Sequence, residues 1–295
     1  MKLGLSSYSF RPLMQDGSMT IEDVFAWVRD HGGEHVELAS LSVAPEGGDL
    51  GYELGADAAS LARLEATMAE TGIPLSGICI GASFIQMSGE ERRAQIGRAQ
   101  RYAETCDRLG ARFLRHDVVP WAYRAGTAEF EAEFAGIVDA CGEIAHHAAK
   151  YGVTTSVEDH GFFMNSSERI KRLVHAVNLP NFRITLDVGN FLCVDEDAVT
   201  ATAACLPQLT FLHLKDFYVR RESPGPGWIE TRGGQYIRGS IFGFGDLETK
   251  TILKSAVDAG YDGFVSLEYE GGEPSLVGCE TGLNNIKQML EEIRA

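Results

Sequence analysis

The chain has 295 residues, of which 44% are hydrophobic and 23% are charged, and its formal net charge is −16. This composition is ordinary for a globular protein with a sizeable core, and the length suits either one barrel domain or two smaller domains. The strongly acidic balance argues against nucleic acid and anionic membranes as partners. No apolar run approaches the ~18 residues of a transmembrane helix, and the N-terminal segment lacks the apolar stretch of a secretory signal, so we expect a cytoplasmic protein.

Six cysteines are scattered along the chain without any C-x-x-C pair: Cys79, Cys106, Cys141, Cys193, Cys205 and Cys279. Most of them lie in apolar segments, which is typical of buried free thiols in a reducing compartment. A disulfide framework or a thiolate metal site is poorly supported by this spacing.

Strand-like and helix-like segments alternate from end to end. The predicted strands cover 2–9, 35–39, 74–80, 111–117, 153–159, 182–187, 209–215 and 263–269. The predicted helices run from the N-cap Thr20 to a glycine stop, over 56–71, 89–109 and 127–151, after Ser167, from near Asp195, and over 247–259 and 280–294. The polar, Gly/Pro-rich segment 216–246 is expected to form a long loop after the seventh strand and to contribute much of a pocket lid.

Strict alternation of eight strands and eight helices predicts parallel strands joined by crossover helices. Eight such units in a chain of this length match an α/β fold of the (β/α)₈ TIM-barrel type, formed by residues 1–295 as a single domain. A doubly wound open sheet is the alternative. Neither a G-x-G-x-x-G after the first strand nor a G-x-x-x-x-G-K-[ST] occurs, so the usual nucleotide signatures of open sheets are missing.

Four polar residues stand at the ends of four predicted strands. They are Glu158 in TTSVEDHG, Asp187 in RITLDVGN, His213 in LTFLHLKD and Glu268 in FVSLEYEG. Alternate strand residues point into a barrel, and the carboxyl ends of its strands form the mouth that holds active sites, so we expect these side chains to converge. Three carboxylates and an imidazole suit Mn²⁺, Mg²⁺ or Co²⁺. Glu270 has the same strand phase as Glu268 and is its rival.

Each of these residues taken alone has a structural interpretation. A lone carboxylate at a strand end usually caps a loop or a helix, and a lone strand histidine is usually a hydrogen-bonded core residue. Carboxylates within apolar strands are nevertheless costly to bury unless they are paired or bound to metal, so the set of four favours one metal site. The same phase adds a wider polar ring of candidate substrate ligands: Glu37, His116, His160 and Lys215.

The motifs SVEDHG, TLDVGN, FLHLKD and FGFGDLE occur in this order between GLSSYSF and FVSLEYEG. In this the chain resembles the xylose isomerase-like TIM-barrel superfamily of sugar phosphate isomerases and epimerases, whose relatives include ketose 3-epimerases, inosose isomerases and dehydratases, and hydroxypyruvate isomerases. The resemblance implies that Glu158, Asp187, His213 and Glu268 bind the metal. It also implies that Glu158 and Glu268 exchange protons with the substrate.

One departure from the family pattern stands out. Many members have a histidine three residues after the Asp of the sixth strand, where this chain has Asn190. Asparagine can hydrogen-bond a hydroxyl but cannot carry a proton near neutral pH. The long loop also contains Arg238, at a place where relatives can have a substrate-binding arginine.

The resemblance implies an isomerase or epimerase that acts on a keto-sugar, keto-polyol or related hydroxy-carbonyl compound through a metal-stabilised enediolate. The alternative is a lyase or dehydratase that uses the same enolate for β-elimination, as in inosose dehydratases or relatives acting on 3-keto-glycosides. We expect one divalent metal, Mn²⁺ ahead of Mg²⁺, Co²⁺ or Zn²⁺, a sugar or polyol substrate, and an exterior compatible with a homo-oligomer. The superfamily fold also hosts endonucleases that act at damaged DNA, but the charge of −16 disfavours that activity here. A non-catalytic barrel is the remaining alternative.

Overall fold

Eight parallel strands close into a barrel in the computed structural model, which describes residues 1–45 and 48–295. Around the barrel, each chain neighbour is also a spatial neighbour, and the last strand pairs with the first. The strands are β1 (Lys2–Ser6), β2 (Val36–Ala39), β3 (Leu75–Ile80), β4 (Phe113–His116), β5 (Thr154–Glu158), β6 (Phe182–Asp187), β7 (Leu209–Leu214) and β11 (Phe264–Leu267). The predicted (β/α)₈ fold is therefore confirmed.

Eight main helices follow the eight barrel strands in the described chain. They are α2 (Ile21–Asp30), α4 (Ala58–Thr71), α5 (Gly89–Arg108), α6 (Thr127–Ala149), α7 (Ser167–Val177), α8 (Ala198–Cys205), α9 (Thr249–Asp258) and α10 (Ser275–Arg294). Two short helices, α1 (Arg11–Gln15) and α3 (Ser40–Val43), accompany them. The predicted N-cap Thr20 is confirmed, because its side chain accepts a hydrogen bond from Asp23 N in a capping box.

A ring of aromatic side chains fills the barrel at the amino ends of its strands. Phe113, Phe211 and Phe264 pack against one another with centroids 5.6 to 6.0 Å apart, and the ring of His35 lies edge-on to Phe264 at 4.8 Å. His35 Nε2 contacts the carbonyls of Lys2 and Val265. This packed floor leaves the carboxyl-terminal half of the barrel for polar side chains.

The structure differs from the sequence-based expectation in the segment 216–246. Instead of one long loop, it contains a three-stranded antiparallel sheet formed by β8 (Asp216–Arg220), β9 (Ile229–Glu230) and β10 (Tyr236–Ser240). Glycine and proline obscure this sheet in the sequence because they belong to its turns. Ile237 and Phe217 from it form a small separate cluster with Phe162 and Cys193.

Two element boundaries also differ. The first strand ends at Ser6, whose side chain accepts a hydrogen bond from Tyr8 N and starts a 3₁₀ turn over Ser7–Phe10. Helix α10 begins at Ser275 rather than near 280. Gly278 therefore lies inside the helix. A Cβ at this position would be 2.3 Å from the Tyr269 ring, so the glycine allows the helix to pack closely against Tyr269.

All six cysteines are free and buried, as predicted. No helix within residues 1–45 and 48–295 is long and apolar enough to cross a membrane.

Candidate metal centre

Four side chains from neighbouring strands converge at the carboxyl end of the barrel. Each of Glu158, Asp187, His213 and Glu268 offers one donor atom, and these four atoms lie within 4.8 Å of one another. His213 Nδ1 is 3.7 Å from Glu158 Oε1 and 3.6 Å from Glu268 Oε1. All four residues are buried. These four side chains therefore converge, as expected from the sequence.

The residues present fit a divalent cation. Asp187 Oδ2 and His213 Nδ1 are buried without an aligned hydrogen-bond partner. Buried polar atoms are seldom left in this way, and those that are need an explanation such as an ion. Burial, with added repulsion from Glu158 and Glu268 and some relief from Lys215, raises the pKa of Asp187 to about 6. A further cation between these carboxylates would stabilise the ionised form of Asp187 and lower its pKa.

The two glutamates are arranged alike. Each has its Oε1 towards His213 Nδ1 and its Oε2 against a buried cation: Glu158 Oε2 is 2.6 Å from Arg115 Nε, and Glu268 Oε2 is 3.2 Å from Lys215 Nζ. Lys215 is shared, because its Nζ also lies 3.1 Å from Asp187 Oδ2. Glu158 is therefore held more tightly by its own cation than Glu268 is.

The pKa values of the two glutamates reflect this difference in their cation contacts. Burial acts to raise the pKa of Glu158, but the charges of Arg115 and His213 outweigh it and hold the pKa well below its usual value. Burial also acts on Glu268, where His213 and Lys215 produce a net lowering of the pKa. Both carboxylates are thus kept ionised at neutral pH.

Backbone and side-chain amide groups hold Asp187, the candidate ligand from β6, and its neighbour Glu158 in place. Asp187 Oδ1 accepts hydrogen bonds from Gly189 N at 2.9 Å and Asn190 N at 3.3 Å. The amide of Asn190 donates from Nδ2 to Glu158 Oε1 at 2.9 Å. Asn190 therefore sits directly beside a candidate metal ligand. In this position it orients a carboxylate and has no proton to exchange.

A second polar chain runs from β4 to the end of β5. Arg115 contacts Asp117 as well as Glu158, with Nη2 2.8 Å from Asp117 Oδ1. The same Asp117 oxygen is 2.9 Å from His160 Nδ1. Burial acts to lower the pKa of His160, but the charge of Asp117 leads to a net rise. His160 is therefore oriented by a carboxylate, with its other nitrogen left for the cavity.

A cavity of about 530 Å³ opens above the four convergent residues, within the range of small-molecule sites. Of the candidate substrate ligands, His160, Asn190 and Lys215 line it, together with Glu158, Glu268 and Glu270. Its lining also includes Tyr8, whose hydroxyl donates to Glu270 Oε2 at 3.3 Å. Two exposed apolar side chains, Leu50 and Trp121, stand among the lining residues.

The other three candidate substrate ligands do not line this cavity. His116 is fully buried with Nδ1 3.0 Å from the carbonyl of Asp117, and burial lowers its pKa to about 4. Glu37 is buried beneath the site with Oε2 2.8 Å from His213 Nε2. Arg238 is exposed on β10. Side chains alternate along β4, so Arg115 and Asp117 face the cavity and His116, between them, packs towards Phe84 and Phe182.

Arg115 and Asp117 were not predicted from the sequence. The signal was present, because an arginine within the apolar run ARFLRHD is as unusual as the histidine beside it. Choosing between two adjacent polar residues requires the strand phase, and a four-residue strand shows no clear alternation by itself.

Comparisons with known proteins agree with this fold. The model of the family described as the xylose isomerase-like TIM barrel matches residues 25–294, and the chain belongs to this family. No curated protein sequence is significantly similar to the chain.

Three solved structures illustrate the likeness in fold. The 3-keto-D-glucoside 4-epimerase YcjR from E. coli, in its apo form, is 17% identical with a TM-score of 0.73, over 98% of this chain and 99% of that one. The IOLI protein with a bound zinc atom is 18% identical with a TM-score of 0.73, over 99% and 98%. The probable 3-DHS dehydratase AsbF from Bacillus anthracis, involved in petrobactin synthesis, is 16% identical with a TM-score of 0.73, over 97% and 99%.

Proposed function

We propose that the protein is a divalent-metal-dependent isomerase or epimerase of a keto-sugar, keto-polyol or related hydroxy-carbonyl compound. The observation that carries the proposal is the convergence of three carboxylates and one imidazole at the floor of the cavity. Glu158, Asp187, His213 and Glu268 would hold the ion, and a set of three carboxylates and one imidazole suits Mn²⁺, with Mg²⁺, Co²⁺ and Zn²⁺ as alternatives. The ion would supply Lewis-acid stabilisation of the negative charge that develops on adjacent substrate oxygens.

Proton transfer is assigned to the two glutamates. A base must be ionised yet still attract a proton, and a nearby cation weakens that attraction. Glu158 Oε2 lies 2.6 Å from Arg115, whereas Glu268 Oε2 lies 3.2 Å from a lysine shared with Asp187. Glu268 is therefore proposed as the base that removes the carbon-bound proton. Glu158 is proposed to carry a proton on the other side of the substrate.

The remaining lining residues would hold the substrate. His160, oriented by Asp117, and Lys215 present N–H groups to hydroxyl oxygens in the cavity. A sugar or polyol suits these donors, and the net charge of −16 makes a nucleic acid a poor partner. Glu37, His116 and Arg238 are not needed for substrate contact in this proposal.

β-Elimination is the second candidate, favoured by the presence of proton donors besides the glutamates. Lys215 Nζ and His160 both reach the cavity, and either could protonate a departing hydroxyl. The same proton abstraction by Glu268 would then lead to a lyase or dehydratase. The name of AsbF, a probable 3-DHS dehydratase, is consistent with such an outcome on this fold.

A proton-exchange experiment tests both candidates. The protein is loaded separately with Mn²⁺, Mg²⁺, Co²⁺ or Zn²⁺ and incubated in D₂O with a panel of keto-sugars and keto-polyols, and the products are followed by NMR. Isomerisation predicts deuterium at the carbon next to the carbonyl together with a new stereoisomer or positional isomer. Elimination products without any isomer would overturn the isomerase assignment, and no reaction with any metal would count against both.

The ligand assignment is tested by paired variants. Asp187→Asn and Glu268→Gln should each lose metal content and turnover, measured by elemental analysis and the exchange assay. Glu270→Gln is the matched control for metal content, which it should retain, because Glu270 lies two residues further along the same strand end but contacts Tyr8 and Lys215 outside the proposed ligand set. A Glu158→Gln protein with full activity and unchanged metal content would refute the site.

A further inference from the structure

Glu37 lies beneath the candidate metal centre and contacts one of its ligands from behind. It belongs to β2, which is three strands around the barrel from β7, so its side chain reaches through the interior to His213. Glu37 Oε2 is 2.8 Å from His213 Nε2, the ring nitrogen opposite the one that faces Glu158 and Glu268. Glu37 is only 2% exposed and does not line the cavity.

Cys79 on β3 completes the arrangement. Its Sγ donates to Glu37 Oε1 at 3.0 Å, the carboxylate oxygen that His213 does not contact. Each oxygen of Glu37 therefore has one neighbouring donor group, and the carboxylate is held in one orientation. Such a buried carboxylate would be costly without these partners.

We propose that Glu37 is a positioning residue that holds His213 with Nδ1 towards the metal, and that the Cys79 thiol holds Glu37. The inference rests on the metal site of the proposed function. An imidazole that binds a metal through Nδ1 carries its single proton on Nε2, and Glu37 Oε2 is the acceptor within reach. The two atoms are 2.8 Å apart but are not aligned as a hydrogen bond here, so the proposal requires the ring to turn when the metal binds.

This assignment separates Glu37 from the substrate-binding residues. A carboxylate behind a ligand histidine fixes the ring's tautomer and orientation, and removing it typically weakens metal binding about 10- to 100-fold. Glu37 acts on the metal site through His213, and changing it should alter metal affinity before it alters the recognition of any substrate.

The test measures Co²⁺ binding directly, by calorimetry on the purified protein. Glu37→Gln keeps the size of the side chain and removes its charge, and is expected to weaken Co²⁺ binding about 10- to 100-fold. Cys79→Ala should weaken it by a smaller factor. Glu34→Gln is the matched control, since Glu34 is near the same strand but accepts a hydrogen bond from Leu3 N outside the site. It should bind Co²⁺ like the wild type.

A second readout distinguishes positioning from general stability. In the Co²⁺-loaded protein, the Nε2 proton of His213 should give a paramagnetically shifted, slowly exchanging NMR signal that His213→Gln removes. Glu37→Gln should make this proton exchange faster at saturating Co²⁺. If Glu37→Gln does not fold, Glu37→Asp, whose shorter side chain withdraws the carboxylate, is measured in the same way.

The outcomes separate the two proposals. A wild-type protein that binds no divalent metal overturns both. A wild type that binds Co²⁺, with a folded Glu37 variant of equal affinity and equal proton exchange, overturns the positioning role and leaves the metal site in place.

Discussion

Arg115 Nε lies 2.6 Å from Glu158 Oε2 inside the barrel, and the same guanidinium reaches Asp117. One arginine thus bridges the candidate metal centre and the carboxylate that orients His160. This pair gives the centre its asymmetry, because the second glutamate, Glu268, has only a shared lysine.

Arg115→Met is expected to destabilise the protein strongly. It leaves the buried Glu158 and the half-buried Asp117 without this cation, and breaking a buried ion pair from one side typically costs about 3–5 kcal/mol. The free energy of unfolding in urea, measured in the presence of a chelator, checks this. Arg101→Met is the control, because the Arg101–Glu53 pair is on the surface and such pairs are worth less than about 1 kcal/mol. A loss of similar size in both variants would contradict the bridging role.

Metal binding is expected to stabilise the fold. A ligand that binds only the folded state adds about 2.7 kcal/mol when its free concentration is about 100 times Kd. Adding Mn²⁺ to chelator-treated protein should therefore raise Tm, and Asp187→Asn should abolish the rise. An equal rise in Asp187→Asn would place the ion elsewhere.

The stability contribution of His35 is expected to depend on pH. Burial lowers the pKa of His35 to about 4, from 6.5 in the unfolded chain. Between these pH values the unfolded state therefore binds more protons than the folded state. The contribution of neutral His35 to the free energy of unfolding is fully present above about pH 6.5 and is lost as the pH falls towards 4. From pH 7.5 to 5.5, which stays above the sequence pI of about 4.9, the predicted loss is about 1 kcal/mol.

Comparison with His35→Gln isolates this effect. Other titrating groups, including His116, are present in both proteins and cancel in the difference between their unfolding free energies. The wild-type stability should fall relative to that of His35→Gln over this pH range. A pH-independent difference would mean that His35 does not titrate as its burial requires.

Two helical glycines should respond oppositely to alanine. A Cβ at Gly278 would lie 2.3 Å from the Tyr269 ring, so Gly278→Ala should cost roughly 1–3 kcal/mol by overpacking. At Gly142, in the middle of α6, a Cβ would meet nothing within 4 Å. Gly142→Ala should stabilise the protein by up to about 1 kcal/mol through helix propensity. Thermal unfolding measures both, and the same sign in the two variants would contradict the packing argument.

The strand and helix order of this protein is readable from its sequence. Eight apolar runs alternate with eight helical segments, five of which are followed by a glycine. This rhythm is local, so it predicts the barrel without knowledge of any contact. The residues Glu158, Asp187, His213 and Glu268 are readable for the same reason, since each interrupts an apolar strand near its end. The sheet within 216–246 is not readable, because its strands are short and are separated by turn residues.

The sequence by itself thus determined the barrel and the four residues that meet at its mouth, because both depend on patterns within single strands. The tertiary structure alone decided what surrounds those four. Arg115 rather than His116 faces the cavity and contacts Glu158. Asn190 donates a hydrogen bond to Glu158, and Glu37 contacts the Nε2 side of His213. These contacts join residues 32 to 176 positions apart. Only the closure of the barrel brings such residues together, and only the direction of each side chain determines which atoms meet.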